Sequence, residues 1–426
     1  NEKKEKALES ALLVDFEGKA EEAPPQELRV PRLDDLCVRV LAEAIDRHPA
    51  LDHIKSEYVA AAVELINTKA VSYEKASKHI KNELFWKKSA ITRWPDRPHE
   101  IAEHGMSWRR LYAEYHLTEL FERYYPSKCG TNLEALIREV EFAKPYVQTV
   151  KFTQLRAQIN LSKVLGNFQN LQTLNLTYGH RNIGMGYEKS LFGMKLDDAM
   201  SLSVLIGNSK ALTRVTLKEN HLNDESIQVL GSGIAKNNTI TFLDLSHNKI
   251  SDLGAQRLSN LLKRGSMLMD LNLTDNNIRE AGAAHFASAL LENDVLGTLS
   301  LRQNHITDSG GATILKALCE NDGLQEIDLA ANELGKETGE ALLLMLQHNG
   351  HLSSIDLCSN KVVTDEKGEL LMQALQKNTT LTRLDLRKNT SPEVLKPIKD
   401  LLRPRHVKEK QINRKRYQDG WDMVDD

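Results

Sequence analysis

The chain has 426 residues, more than one compact domain usually holds. Its 56 Lys+Arg and 59 Asp+Glu leave a net charge of −3, which argues against a nucleic-acid binder or a protein held on an anionic membrane surface. Four scattered cysteines (Cys37, Cys129, Cys319, Cys358) lack metal-ligand spacing and read as reduced side chains of an intracellular protein, and there is no run of about 18 apolar residues to form a membrane-spanning helix.

Residues 1–28 read as a charged helix and linker. Leu8, Leu12 and Phe16 stand four apart on one helical face ahead of Pro24-Pro25, a stripe narrow enough to suit either a short docking helix or a solvated one. The chain opens on Asn1 rather than Met, which leads us to expect native sequence upstream.

Residues 29–143 read as a small all-α docking domain. Apolar spacing predicts helices over Leu33–Ile45, Glu57–Ile66, Tyr73–Lys88, Trp108–Tyr124 and Asn132–Phe142, with breaks at Pro49, Pro95 and Pro98. Trp86, Trp94 and Trp108 all fall here, as expected of one helical core filled by large rings.

From residue 144 to 402 the period changes. Val147, Val150 and Phe152 predict a degenerate opening strand. Leu171, Leu174 and Leu176 begin a repeat with Gly179 where an Asn is expected, and it runs 41 residues to Leu212 because of an insertion over Tyr178–Lys195. After it, Asn220, Asn248, Asn276, Asn304, Asn332 and Asn360 recur every 28 residues, and Asn389 follows 29 later. Each is preceded by the same apolar frame, as in Ile240, Leu243 and Leu245 before Asn248. This L-x-x-L-x-L-x-x-N pattern defines a leucine-rich repeat. The expected fold class is α/β: a horseshoe solenoid of 28-residue strand–helix repeats behind the all-α domain.

Within a repeat, period-2 alternation sends Leu243 and Leu245 inward and Asp244 outward. The Asn series is expected to form a ladder that pairs buried turn groups. Ala255, Leu258, Leu261 and Leu262, then Ala283, Phe286 and Leu290, lie at helical spacing. Asn237, Gly265, Asn293, Asn321, Asn349 and Asn378 recur at the helix ends, where they are expected to adopt the left-handed conformation. Pro392 and Pro397 are expected to break the pattern, with Leu401-Leu402 closing the core. Residues 403–426 read as a tail, basic and then acidic, with Trp421 available to a partner.

Catalytic constellations are missing from the sequence. Gly179, Gly184 and Gly186 are not followed by Gly-Lys-Ser/Thr, and His99 and His104 are five apart with no HExxH. The outward strand face remains as a partner-binding candidate: Asp244, Arg302, Asp328, Asp356, Arg383, Asp385 and Arg387, in which Asp328, Asp356 and Asp385 form an acidic stripe with basic neighbours. The competing reading is solvated strand side chains bonding to one another.

Two stretches ahead of the repeats carry a family likeness: Phe85-Trp86-Lys87-Lys88, and His104-Gly105-Met106-Ser107-Trp108-Arg109-Arg110-Leu111-Tyr112. With the array, over roughly residues 28–402, they resemble the leucine-rich-repeat subunits of the nexin–dynein regulatory complex (the subunit 5, or T-complex-associated testis-expressed, family). The insertion after Leu176 and the C-terminal tail depart from that pattern. The resemblance implies a non-enzymatic scaffold of the cytoskeleton in the axoneme of cilia and flagella, linking doublet microtubules and regulating dynein motility. Implied partners are other subunits of that complex, with tubulin or dynein-associated proteins. No cofactor, metal, nucleic acid, membrane or small-molecule substrate is implied.

Two other readings share the repeat type. A Ran-type GTPase activator would offer Arg181 or Arg214 to a nucleotide, but the long acidic tail of that family is absent. A ubiquitin-ligase adaptor would use Pro31–Ile45 as an F-box-like start.

Overall fold

A leucine pair flanking an outward polar residue can bury both aliphatic chains only if another strand lies alongside, so each repeat depends on its neighbours. In the computed structural model, which describes residues 32–47, 49, 51–124, 133–155, 159–166, 168–179, 192–263 and 266–421, these strands form one parallel nine-stranded sheet in sequence order. The strands are β1 (Thr149–Leu155), β2 (Thr173–Tyr178), β3 (Arg214–Thr216), β4 (Phe242–Asp244), β5 (Asp270–Asn272), β6 (Thr298–Ser300), β7 (Glu326–Asp328), β8 (Ser354–Asp356) and β9 (Arg383–Asp385). Their register keeps like positions together: Leu243 pairs with Leu271, and Asp328 with Asp356. Leu217, Leu245, Leu273, Leu301, Leu329 and Leu357 are buried in one continuous column, each contributing about 1.5–3 kcal/mol by burial.

Helices form the second layer. They are α7 (Leu161–Leu165), α8 (Leu196–Asn208), α9 (Asp224–Ile234), α10 (Asp252–Lys263), α11 (Glu280–Leu290), α12 (Thr307–Ala317), α13 (Lys336–His348), α14 (Gly368–Lys377) and α15 (Pro392–Trp421). Among the described residues, six α-helices precede them: α1 (Leu33–Glu43), α2 (Ser56–Leu65), α3 (Tyr73–His79), α4 (Glu83–Arg93), α5 (Trp108–Arg123) and α6 (Leu133–Ala143). The α5 helix packs on β1, and Phe121 stacks on Phe152 at 4.3 Å, so one core runs from the helical domain into the solenoid.

Several sequence expectations need correction. The helix expected over Tyr73–Lys88 is two helices. Ile80 is extended and buried, and the Asn82 Oδ1 accepts the Leu84 and Phe85 N–H groups to start α4 afresh. In α1, Leu33, Leu36, Val40 and Leu41 are exposed, and only Val38 and Ala42 face the core. Prolines 392 and 397 do not end the last helix. Pro392 occupies its first position, where no N–H is needed, and α15 runs through Pro397 and Pro404 to Trp421. The segment read as a tail from 403 is therefore helical as far as 421, with Ile398 and Leu402 buried. The expected docking stripe Leu8, Leu12 and Phe16, most of the insertion after Leu176, Arg181 and Cys129 lie outside the described residues.

The largest correction concerns the helix-end asparagines. None of Asn237, Asn293, Asn321, Asn349 and Asn378 has positive φ; Asn349 and Asn378 are extended. Left-handed backbone occurs instead just after each of β3–β9, at Glu219, His247, Asp275, Gln303, Ala331, Ser359 and Lys388, each immediately before a ladder asparagine. Asn293, Asn321, Asn349 and Asn378 are instead a second row of buried amides, with Asn237 half-buried at its start, while Gly265 lies outside the described residues. Asn321 Nδ2 donates to Leu290 O at 2.7 Å and Asn293 O at 2.8 Å, and its Oδ1 accepts the Leu324 N–H at 2.8 Å. A side chain that satisfies the turn directly removes the need for a left-handed cap.

Candidate functional site

The post-strand asparagines join successive repeats. Asn248 Nδ2 donates to Leu217 O at 3.1 Å and Leu245 O at 2.9 Å, while its Oδ1 accepts the Asn220 and Leu222 N–H groups at 3.0 Å. Asn220, Asn276, Asn304, Asn332, Asn360 and Asn389 make the same kind of cross-repeat bond. A third row went unread in the sequence. The first-turn Asp224 and Asp252 cap the helix of the following repeat, accepting from Gly254 N at 3.0 Å and Gly282 N at 2.9 Å. Asp308 does so through Gly335, Glu337 and Thr338, and although burial pushes its pKa up, these N–H groups bring it below the usual value. A Cβ on Gly254 or Gly282 would come within 2.6 or 2.7 Å of the capping oxygen, which accounts for glycine there. The signal was present as the spacing Asp224, Asp252, Asp308, interrupted by Glu280 and Lys336.

On the outward strand face, register brings Asp328, Asp356 and Asp385 side by side. Each spends one oxygen on its own chain: Asp328 on Ala330 N, Asp356 on Cys358 N and Asp385 on Arg387 N, at 2.9, 2.9 and 3.0 Å. Asp244 does the same to Ser246 N at 3.0 Å. The second oxygens meet arginines. Arg302 Nη1 lies 3.7 Å from Asp328 and 3.5 Å from Asp356, and Arg387 Nη2 lies 2.7 Å from Asp385. Burial, reinforced by Asp356, holds the Asp328 carboxyl above its usual pKa; the Asp385 carboxyl is also pushed up by burial, but the Arg387 hydrogen bonds pull it below normal. Arg383 stays exposed on the adjoining row, and the Arg214 guanidinium carbon lies over the Phe242 ring, 3.7 Å from its centre. Asp356, Cys358 and Asp385 bring ligand-type atoms within 4.8 Å of one another. Arg302 and Arg387 already face those carboxylates, so the cluster is an internally paired charge network.

The two motif stretches of the helical domain meet in space. Glu83 Oε2 accepts the Trp108 N–H at 2.5 Å and the Arg109 N–H at 3.2 Å, and Glu83 Oε1 accepts the Ser107 hydroxyl at 2.9 Å, while Ser107 Oγ caps α5. Phe85 and Trp86 are buried, and Lys88 Nζ donates to the Val63, Glu64 and Ile66 carbonyls that end α2. Arg109 lies over the Tyr146 ring at 3.9 Å. Arg110 donates to Glu114 Oε1 at 2.8 Å and Gln148 Oε1 at 2.6 Å. Glu83 and Lys88 thus hold helices of this domain to one another, and Arg109 and Arg110 reach the junction with the sheet.

In-register parallel strands, a second helical layer and asparagine rows define a leucine-rich-repeat protein. A family model described as "Leucine Rich repeat" matches residues 236–259, 293–315 and 377–390. The chain is similar to dynein regulatory complex subunit 5: it is 32% identical over 198 residues to the protein of that name from Chlamydomonas reinhardtii, covering 46% of this chain and 50% of the relative. The Macaca fascicularis protein of the same name is 30% identical over 230 residues, 47% of this chain and 45% of the relative. An internalin from Listeria monocytogenes aligns with a TM-score of 0.38 at 18% identity, over 63% of this chain and 74% of that one. The chain spans about half the length of the curated relatives it matches.

Proposed function

We propose that the chain is a structural subunit of the axonemal nexin–dynein regulatory complex, holding together the linkage between doublet microtubules and so regulating dynein. The observation that carries this reading is the 32% identity to the Chlamydomonas reinhardtii subunit. The architecture supports it in physical terms. Repeats pinned at three rows of side chains, and fused to a helical domain through one continuous core, make a stiff spacer. The mixed-charge strand face offers partner subunits a patterned surface, with Asp244, Arg302, Asp328, Asp356, Arg383, Asp385 and Arg387 as its contact residues. This scaffold works by binding and needs no catalytic residue.

Cryo-electron tomography of axonemes with and without the chain tests the proposal. Loss of density at the inter-doublet link, restored by the re-expressed chain, is the expected result. Intact links in its absence would overturn it.

A further inference from the structure

The closing helix α15 is tied to the last repeats at two points. Near its middle, Arg405 Nη1 donates to Asn378 O at 2.6 Å and its Nη2 to Leu375 O at 3.0 Å. At its start, Asp365 Oδ1 accepts the Thr390 hydroxyl and, at 3.0 Å, the Ser391 N–H. The turn that leads from β9 into α15 lies on the surface. Arg387, Lys388 and Pro392 are exposed, and Thr390 and Ser391 are half-buried.

An open cleft of about 540 Å³ runs along this turn, lined by Lys361, Thr364, Asp365, Lys388, Thr390 and Ser391. The Asp365 carboxylate is engaged by the donors of the turn. The lysines are not engaged: among the described residues, neither Lys361 nor Lys388 has an ion pair or a side-chain hydrogen bond. Lys361 follows ladder Asn360 and Lys388 precedes ladder Asn389, so the two ammonium groups come from successive repeats. The same cleft holds a sequence feature found once in the chain. Of its 11 prolines, only Pro392 follows a serine or threonine.

We propose that Ser391 is a phosphorylation site for a proline-directed protein kinase, and that its phosphoryl group settles between Lys361 and Lys388. In the transfer, Ser391 Oγ attacks the γ-phosphorus of ATP. The Oγ–P bond forms as the bond from that phosphorus to the β–γ bridging oxygen breaks; ADP leaves with the electron pair, and the hydroxyl proton passes to the base of the kinase. Such kinases read the proline after the acceptor, since a residue without an N–H leaves no donor unpaired in their substrate groove. The product carries a charge of about −1.5 to −2 and acceptor oxygens, while each lysine offers donors alone. Asp365 and the first-turn Glu393 oppose the added charge, so the phosphoryl group depends on both lysines. Held by both, it ties the last two repeats together at their edge. The inference stands independently of the axonemal reading.

The test treats the full chain with a mitogen-activated, proline-directed kinase and ATP, and maps the product by fragment-ion mass spectrometry. Incorporation at Ser391, lost in Ser391→Ala, is expected. The phosphorus NMR signal of the product is then titrated. Beside two ammonium groups the phosphate should lose its second proton below its ordinary pKa of about 6, because cations favour the dianion. Lys361→Gln and Lys388→Gln should each move that pKa back up, as should urea. Thr390, with Arg387 three residues before it, is the competing acceptor. No incorporation, incorporation at Thr390 in place of Ser391, or a phosphate pKa unmoved by both lysine substitutions would each overturn the proposal.

Discussion

The Glu114 carboxylate accepts the backbone N–H of Thr149 at 2.8 Å, and that bond joins the helical domain to the first strand of the solenoid. The same Oε1 takes the Gln148 N–H at 3.0 Å and Arg110 Nε at 2.8 Å, while Oε2 faces His104 Nδ1 at 2.5 Å. An edge strand has unpaired N–H groups on its free side. Here a buried carboxylate covers the first of them, at Thr149, together with the Gln148 N–H just before the strand.

Glu114→Gln should therefore destabilise the chain by roughly 3–5 kcal/mol, as when one partner of a buried ion pair is removed. Arg110 would keep its charge at a mostly buried position. Urea unfolding followed by tryptophan fluorescence reads the helical domain, because Trp86, Trp94 and Trp108 lie there. An unchanged midpoint would contradict the role assigned to Glu114.

Acid should act through the same group. Burial pushes the Glu114 pKa up, but His104, Arg110 and the Gln148 N–H hold it below its ordinary 4.5. A carboxylate depressed in the folded state adds stability above its unfolded pKa and loses it as pH falls through the folded value. Wild type should lose stability below about pH 4.5, and Glu114→Gln should show a shallower slope there; parallel curves would count against the linkage.

Asn304 makes bonds to Leu273 O, Leu301 O and Arg302 O at 2.9, 3.0 and 3.2 Å, and accepts the Ile278 N–H at 3.1 Å. Asn304→Ala should cost about 1–3 kcal/mol by leaving these groups buried without partners. Asn389→Ala, at the more exposed last rung, should cost less. Equal denaturation midpoints for the two variants would argue against cross-repeat pairing as the source.

Asp328 and Asp385 should respond oppositely to neutralisation. Burial raises the Asp328 pKa, so its charge is held against a penalty, and an amide oxygen can still accept the Ala330 N–H. Asp328→Asn should be neutral or slightly stabilising at pH 7. Asp385→Asn removes the charge that Arg387 pairs with and should destabilise by about 0.5–1 kcal/mol, given the exposed arginine. Thermal melts of both variants decide the matter, and the same direction in both would contradict the assignment.

Arg405→Ala should free the last repeat's carbonyls. Hydrogen exchange over residues 368–385 is expected to quicken while β4–β6 stay protected, since repeats depend on nearest neighbours. Uniform exchange along the solenoid would show that the cap has no local effect.

Much of this fold is legible in the residues alone. The strand leucines and post-strand asparagines stand out because each acts at a fixed offset within one repeat, so a period of 28 exposes them. The helix-end asparagines also recur in phase, yet their role is not readable that way. Residue type alone does not separate a left-handed cap from an amide that bonds across repeats. The Tyr73–Lys88 pattern conceals a break because Ile80 keeps helical spacing while its backbone is extended.

By itself the sequence determined the repeat, its register and which strand leucines are buried, since periodic apolar spacing admits one stacked arrangement. Only the tertiary structure decided the pairings between distant positions: Glu114 with Thr149, Arg302 with Asp328 and Asp356, Arg405 with Asn378. Those depend on which elements meet in space, and no local periodicity encodes a single contact made once.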